Sequence, residues 1–133
     1  MKRLVLIRHA KTEQTGYDQD FQRELTDRGV ADAHNIVSDL KKWKIIPDKI
    51  NTSPAVRALE TARIFAKDMA LPMRTVVEVS GLYFDYTTQD FLNMIQQTED
   101  QVDTLFVFGH NPFMYHLAMN MSKMYDGHMP TCS

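Results

Sequence analysis

Apolar and polar positions along this chain follow two rhythms, one of strands and one of helices, and the rhythms alternate four times. A short apolar run, Leu4-Val5-Leu6-Ile7, stops at Arg8-His9, so residues 3–7 read as a buried strand. Residues 11–25 are polar, with Gly16 among acids and amides, and read as a loop. Thr26 suits the cap of a helix over 26–42, because Val30, Ala33, Val37 and Leu40 fall on one helical face. Pro47 closes that connection, and 48–52 carries a short strand around Ile50. Ser53-Pro54 reads as the next helix start, since serine caps and proline loses nothing at the first helical position. Ala58, Ala62, Phe65 and Met69 continue that helix on one face. A strand is predicted over 74–79, and a helix from Thr87 or Thr88 to about Gln97. A strongly apolar strand follows over 104–108. Asn111-Pro112 then repeats the cap-and-proline start for a helix over 111–121. Strand followed by helix, four times over, predicts an α/β fold: a three-layer sandwich with a mostly parallel sheet and helices on both faces.

That topology explains why a buried strand ends in a cation and an imidazole. In open α/β sheets, ligands bind beyond the carboxyl ends of the strands. Three predicted strands end in reactive groups: Arg8-His9; Thr52-Ser53 with Arg57 in the next helix; and Gly109-His110-Asn111. Neighbouring strands lie about 4.8 Å apart, so these groups can meet on one edge of the sheet. Helix starts after Ser53 and Asn111 add N–H donors and positive dipole ends. Such a pocket suits a phosphoryl group, with arginine forks on its oxygens and histidine nitrogens as nucleophile or hydrogen-bond donor. Each residue alone has an ordinary reading, as a structural histidine or a solvated arginine. Their convergence is what points to a phosphate site.

Composition narrows the field. A chain of 133 residues fits one domain, here 1–133. A formal net charge of -2 gives no general attraction to nucleic acid. No apolar run is long enough for a membrane span or a signal-peptide core. The single cysteine, Cys132, cannot form an internal disulfide, which fits a cytoplasmic protein. Nine methionines suit adaptable core filling or, in the tail, a partner surface. Lys41, Lys42 and Lys44 beside Trp43 read as a solvated helix end, with docking to an acidic protein as the other reading. A metal hydrolase would draw on His9, His34, His110, His116 or His128, yet no dense ligand spacing such as H-E-x-x-H occurs. There is no G-x-G-x-x-G, and Ser53 lacks the G-x-S-x-G of a serine hydrolase. Neither a metal nor a cofactor is expected.

Four segments carry a more specific resemblance. "LIRHAKTE" (6–13), "RELTDRGVADA" (23–33), "TSPAVRALETA" (52–62) and "VFGHNP" (107–112) occur in order. Together they resemble the histidine phosphatase superfamily, the phosphoglycerate mutase-like fold, and the short length is most like the SixA-type phosphohistidine phosphatases. The resemblance implies that His9 is the nucleophile and passes through a phosphohistidine intermediate. It implies that Arg8, Arg57 and His110 hold the phosphoryl oxygens, with Ser53 and Asn111 lining the site. Nucleophilic attack needs a neutral imidazole nitrogen, a form that neighbouring arginines favour.

Two departures from the family pattern shape the expectation. Many relatives carry a glutamate general acid after the third strand. The comparable stretch here is "EVSGLYFDYTT" (78–88), where Leu82-Tyr83 stands in that place. Glu78, Asp85, Asp18 and Asp20 are candidate substitutes, none singled out. Without an acid, alkoxide leaving groups are disfavoured and imidazole is not, so hydrolysis of phosphohistidine on a signalling phosphotransfer protein is the favoured reaction. A broad small-molecule phosphomonoesterase and a non-catalytic phosphate-binding protein are the alternatives. Relatives also continue beyond "HMPTCS" (128–133), so the sheet is expected to lack a C-terminal edge strand or the chain to be a fragment. The oligomeric state stays open.

Overall fold

A computed structural model describes residues 3–8, 25–83, 87–110 and Met119. Its elements in chain order are strand β1 (Arg3–Arg8), helix α1 (Asp27–Lys42), strand β2 (Lys49–Thr52) and helix α2 (Val56–Asp68). Strand β3 (Val76–Glu78), helix α3 (Thr88–Gln96) and strand β4 (Thr104–Gly109) complete the set. The four strands form one sheet in the order β1-β4-β2-β3, and every pairing is parallel. The expected helix over 111–121 lies, Met119 apart, outside the described residues.

Helices cover both faces of this sheet, which gives the three layers. On one face, Ile7, Ile50, Phe106 and Phe108 pack with Ala33, Val37 and Leu40 of α1 and with Ala62, Phe65 and Ala66 of α2. On the other, Leu6, Leu105 and Val107 pack with Phe91 of α3 and with Leu82 and Val102. All six residues of β4 are buried. An apolar strand with no polar face is what a central parallel position requires.

The helix starts test the capping arguments one by one. Thr26 caps α1 as expected, its hydroxyl accepting from the Gly29 N–H at 2.9 Å. Thr87 caps α3 in a reciprocal capping box with Asp90. Ser53-Pro54 does not start α2: the helix begins at Val56, after Ala55, with no side-chain cap. Ser53 is fully buried and its Oγ accepts from the Ala55 N–H at 3.2 Å, so the serine closes a turn ahead of the helix. The strand expected over 74–79 is also shorter. Met73–Thr75 form a single turn of 3₁₀ helix after Pro72, and pairing with β2 begins only at Val76.

At the far end of α1, Lys41 and Lys42 occupy the last turn and Trp43 is 63% exposed, consistent with a solvated helix end. Lys44 there and Ala70 after α2 both hold positive φ, at 60° and 57°, where glycine is the usual residue.

Phe65 couples the layers. Its ring meets Phe108 edge-on at 4.9 Å and Phe106 at 6.3 Å, docking α2 onto the central strand. Phe65→Ala should therefore lower the free energy of unfolding by about 3–5 kcal/mol, measured by urea denaturation. A loss below about 1 kcal/mol would show that α2 is held by other contacts.

Candidate active site

Strand order decides which chain ends become neighbours. Because β4 lies between β1 and β2, its carboxyl end is flanked on both sides. Arg8 stands level with Gly109 across one pairing, and Thr52 stands level with Phe108 across the other. The Ser53 N–H continues the ladder, donating to the Phe108 carbonyl at 3.0 Å. Arg8, Ser53 and His110 thus arrive at one edge of the sheet, from three adjacent strands.

Ser53 and His110 touch directly. His110 Nε2 lies 2.7 Å from Ser53 Oγ. A hydroxyl has two lone pairs and one proton, and the Ala55 N–H takes one lone pair. The oxygen can still accept from a protonated Nε2 or donate to a bare one, so the contact survives either tautomer. The serine read from sequence as a helix cap instead fixes an imidazole.

Arg57 sits in the first turn of α2 and is only 4% exposed. A cation here faces the positive end of the helix dipole, the unfavourable end. The first turn of α2 holds no acidic residue. A guanidinium at a helix N-terminus has the donors and charge to take part in holding an anion. Arg8 is half-buried, and its Nε is a buried donor with no hydrogen-bond partner among the described residues. Two guanidiniums, an imidazole and a helix N-terminus are the chemistry that could hold a tetrahedral oxyanion.

The sequence singles out Tyr83 only as half of the pair Leu82-Tyr83 that stands where relatives carry an acid. Its ring in fact lies at right angles to the His110 imidazole, centroids 5.5 Å apart. The Arg57 guanidinium carbon stands 5.9 Å from the same ring's centroid. The signal available in the sequence was the pair Leu82-Tyr83, an apolar anchor followed by an amphipathic ring.

The remaining candidates divide. Glu78 is exposed at the end of β3, two strands from β4, about 10 Å across the sheet. His9, Asn111, Asp18, Asp20 and Asp85 lie outside the described residues, as do His116 and His128. His34 is away from this edge, on α1, with its Nδ1 against the Asp68 carboxylate of α2.

Residues 4–106 match the model of the histidine phosphatase superfamily, branch 1. The chain belongs to the histidine phosphatase superfamily. As a phosphatase of this superfamily it acts on a phosphate-containing substrate. No curated protein sequence matches the chain significantly.

Solved histidine phosphatase folds are similar over most of the chain. One is a structure from Agrobacterium tumefaciens provisionally named phosphohistidine phosphatase SixA. It is 26% identical with a TM-score of 0.78, and the match covers 90% of this chain and 76% of that one. A second, the protein histidine phosphatase SixA complexed with tungstate, has a TM-score of 0.81 at 20% identity, covering 98% and 81%. A third, a phosphoserine phosphatase from Entamoeba histolytica in complex with 3-phosphoglyceric acid, has a TM-score of 0.67 at 21% identity, covering 92% and 81%.

Two substitutions separate packing from anion binding in this histidine phosphatase. Ser53→Ala removes both hydrogen bonds of Oγ and should lower the unfolding free energy by about 1–3 kcal/mol in urea. Arg57→Met keeps the volume but removes the cation. It should weaken tungstate binding at least about tenfold by titration calorimetry. Unchanged tungstate affinity in Arg57→Met would remove Arg57 from the anion site.

Proposed function

We propose that this chain, residues 1–133 taken as one catalytic domain, hydrolyses phosphohistidine on a cytoplasmic signalling phosphotransfer protein, with His9 as nucleophile. The observation that carries the reading is the meeting of Arg8, Ser53, Arg57 and His110 at one sheet edge, with Tyr83 where the resemblance would place a general acid. His9 is the next residue after Arg8. The same edge therefore supplies both the cations and the strand end that carries the proposed nucleophile.

The reaction runs in two transfers. A neutral nitrogen of His9 attacks phosphorus as the substrate's P–N bond breaks, and the substrate imidazole takes the bonding pair. That imidazole, already protonated at its other nitrogen, departs neutral and needs no acid at the breaking bond. Arg8, Arg57 and His110 hold the three equatorial oxygens, whose charge must be stabilised as the phosphoryl group passes. Asn111 is proposed to line the same pocket. Water then attacks the phosphorus on His9 and loses a proton to solvent as the His9 P–N bond breaks, the bonding pair returning to the imidazole, so that phosphate leaves and neutral His9 is restored. The cations supply the charge stabilisation, so a metal and a cofactor are unnecessary to this route. Among the described residues no helix is long and apolar enough to cross a membrane.

The second reading is a small-molecule phosphomonoesterase, the activity carried by the name of one fold neighbour, the phosphoserine phosphatase. Phosphate release in the presence of chelator distinguishes the two. Wild-type protein should turn over a phosphohistidine protein with kcat/KM at least about a hundredfold above that for an alkyl phosphate. p-Nitrophenyl phosphate, with its good leaving group, should fall between them. His9→Ala should abolish turnover of all three and eliminate the acid-labile phosphoenzyme trapped from wild type. An alkyl phosphate as best substrate would favour the esterase, and full turnover by His9→Ala would refute the nucleophile.

A further inference from the structure

The stretch after β3 is short, and each step of it is fixed. The Val79 N–H donates to the Thr52 carbonyl at 2.8 Å, pinning the exit of β3 to the residue before Ser53. A single 3₁₀ turn, Ser80–Leu82, follows. Leu82 is 3% exposed and packs with Phe91, Leu105 and Val107 beneath the sheet. The Tyr83 N–H closes the turn onto the Ser80 carbonyl at 3.0 Å. An anchored leucine and a closed turn leave the next side chain little choice of direction. It is this side chain that meets both His110 and Arg57.

We infer that Tyr83 is a positioning residue of the phosphoryl site, whose aromatic ring holds the Arg57 guanidinium and the His110 imidazole in register before substrate arrives. The inference rests on the functional reading above and adds to it a residue that neither the motifs nor the expected mechanism used. The physical basis is one ring with two charged or polar neighbours. A guanidinium within about 6 Å of a ring centroid is attracted by the ring's quadrupole. An imidazole at right angles to the same ring occupies the favoured edge-to-face arrangement. Arginine is a long chain with many rotamers, and its freedom is removed in advance by this contact. Ser53 fixes His110 from one side, and Tyr83 limits its tilt from another. Movement of the ring would therefore disturb both oxygen-binding groups at once.

The ring, rather than the phenolic hydroxyl, carries this role. Tyr83 stands in the place of a proton donor without acting as one. Its contribution is common to every phosphoryl substrate and does not favour poor leaving groups.

Tungstate titration and steady-state kinetics on the full chain test the claim with four proteins: wild type, Tyr83→Phe, Tyr83→Leu and Tyr83→Met. Tyr83→Phe keeps the ring and should stay within about twofold of wild type in tungstate affinity and in kcat/KM. Tyr83→Leu and Tyr83→Met remove the ring and should each lose about tenfold or more in both, because small misplacements of oxygen-binding groups are costly. Methionine fills the space adaptably, so it keeps the comparison alive if the leucine variant fails to fold. The His110 ring protons, observed by NMR without substrate, should shift in both ring-less variants and hold their wild-type positions in Tyr83→Phe. Wild-type tungstate affinity in the ring-less variants would overturn the inference. So would a Tyr83→Phe variant as weak as Tyr83→Leu, since the hydroxyl would then be the active part. A wild-type protein that binds no tungstate overturns this inference and the functional reading together. One that binds tungstate, with the expected losses in the variants, but releases no phosphate from phosphohistidine overturns the functional reading alone.

Discussion

Strand β4 is formed late in the chain yet occupies the middle of the sheet, and the rest of the arrangement depends on that insertion. It pairs along its length with β1, a hundred residues upstream in approximate terms, and with β2 on its other side. Without it, the ends of β1 and β2 would not share an edge, and Arg8 would stand apart from Ser53 and Arg57. The buried faces of β4 serve two layers at once. Phe106 and Phe108 face the α1 and α2 layer, while Leu105 and Val107 face α3. Asp48 adds a polar clamp at the opposite end of the strand, its Oδ2 accepting from the Asp103 and Thr104 N–H groups at 3.0 and 2.9 Å. Such non-local pairing delays folding, because the intervening chain must be ordered before the central strand can dock. The return is a site assembled from residues that no local segment contains.

Electrostatics at that edge run against the interests of folding alone. A guanidinium sits buried at the positive end of α2, and Arg8 brings a second cation to the neighbouring strand. Two of the contacts at this edge are neutral or quadrupolar: the Ser53 hydroxyl on His110 and the Tyr83 ring on both His110 and Arg57. Neutral partners orient cations without cancelling their charge. A carboxylate in either place would neutralise the field that an oxyanion needs.

The fold was legible because its signals are periodic. The apolar stripe of α1, the buried run of β4 and the two threonine caps were read to within a residue or two, and alternation implied the parallel sheet. Strand order was not legible, since periodicity says which face is buried but not which strand lies beside which. Ser53-Pro54 misled because a cap and a turn-closing serine use the same side-chain oxygen. Only the tertiary partner, His110, shows which role applies. The start of β3 is overextended in the sequence reading because Arg74-Thr75 has strand-like composition, while Pro72 favours a turn that composition cannot weigh. Arg8, Ser53, Arg57 and His110 stand out in the sequence by their places at strand ends and helix starts, and their location at one sheet edge supports the proposed site. Tyr83 was not readable as a contact. An aromatic residue after a leucine usually reports packing, and its two partners are 26 and 27 positions away in opposite directions.

The absence of a carboxylate from the Tyr83 position bears on selectivity by a route separate from affinity. Groups that hold the equatorial oxygens meet the same three atoms in every phosphoryl substrate, so they raise all rates together and discriminate little. Discrimination must come from whatever meets the leaving group. An acid there reduces the difference between good and poor leaving groups, because protonation makes an alkoxide departure feasible. On the proposed reading, in which no other carboxylate meets the leaving group, that difference persists, and the site would select by the intrinsic chemistry of the bond. Protonated phosphoimidazole then ranks above aryl phosphate, and aryl phosphate above alkyl phosphate, without any pocket shaped to recognise them. On the proposed reading, specificity for P–N bonds needs no added recognition element. It would follow from a cationic cradle that meets the leaving group with an aromatic ring in place of a carboxylate.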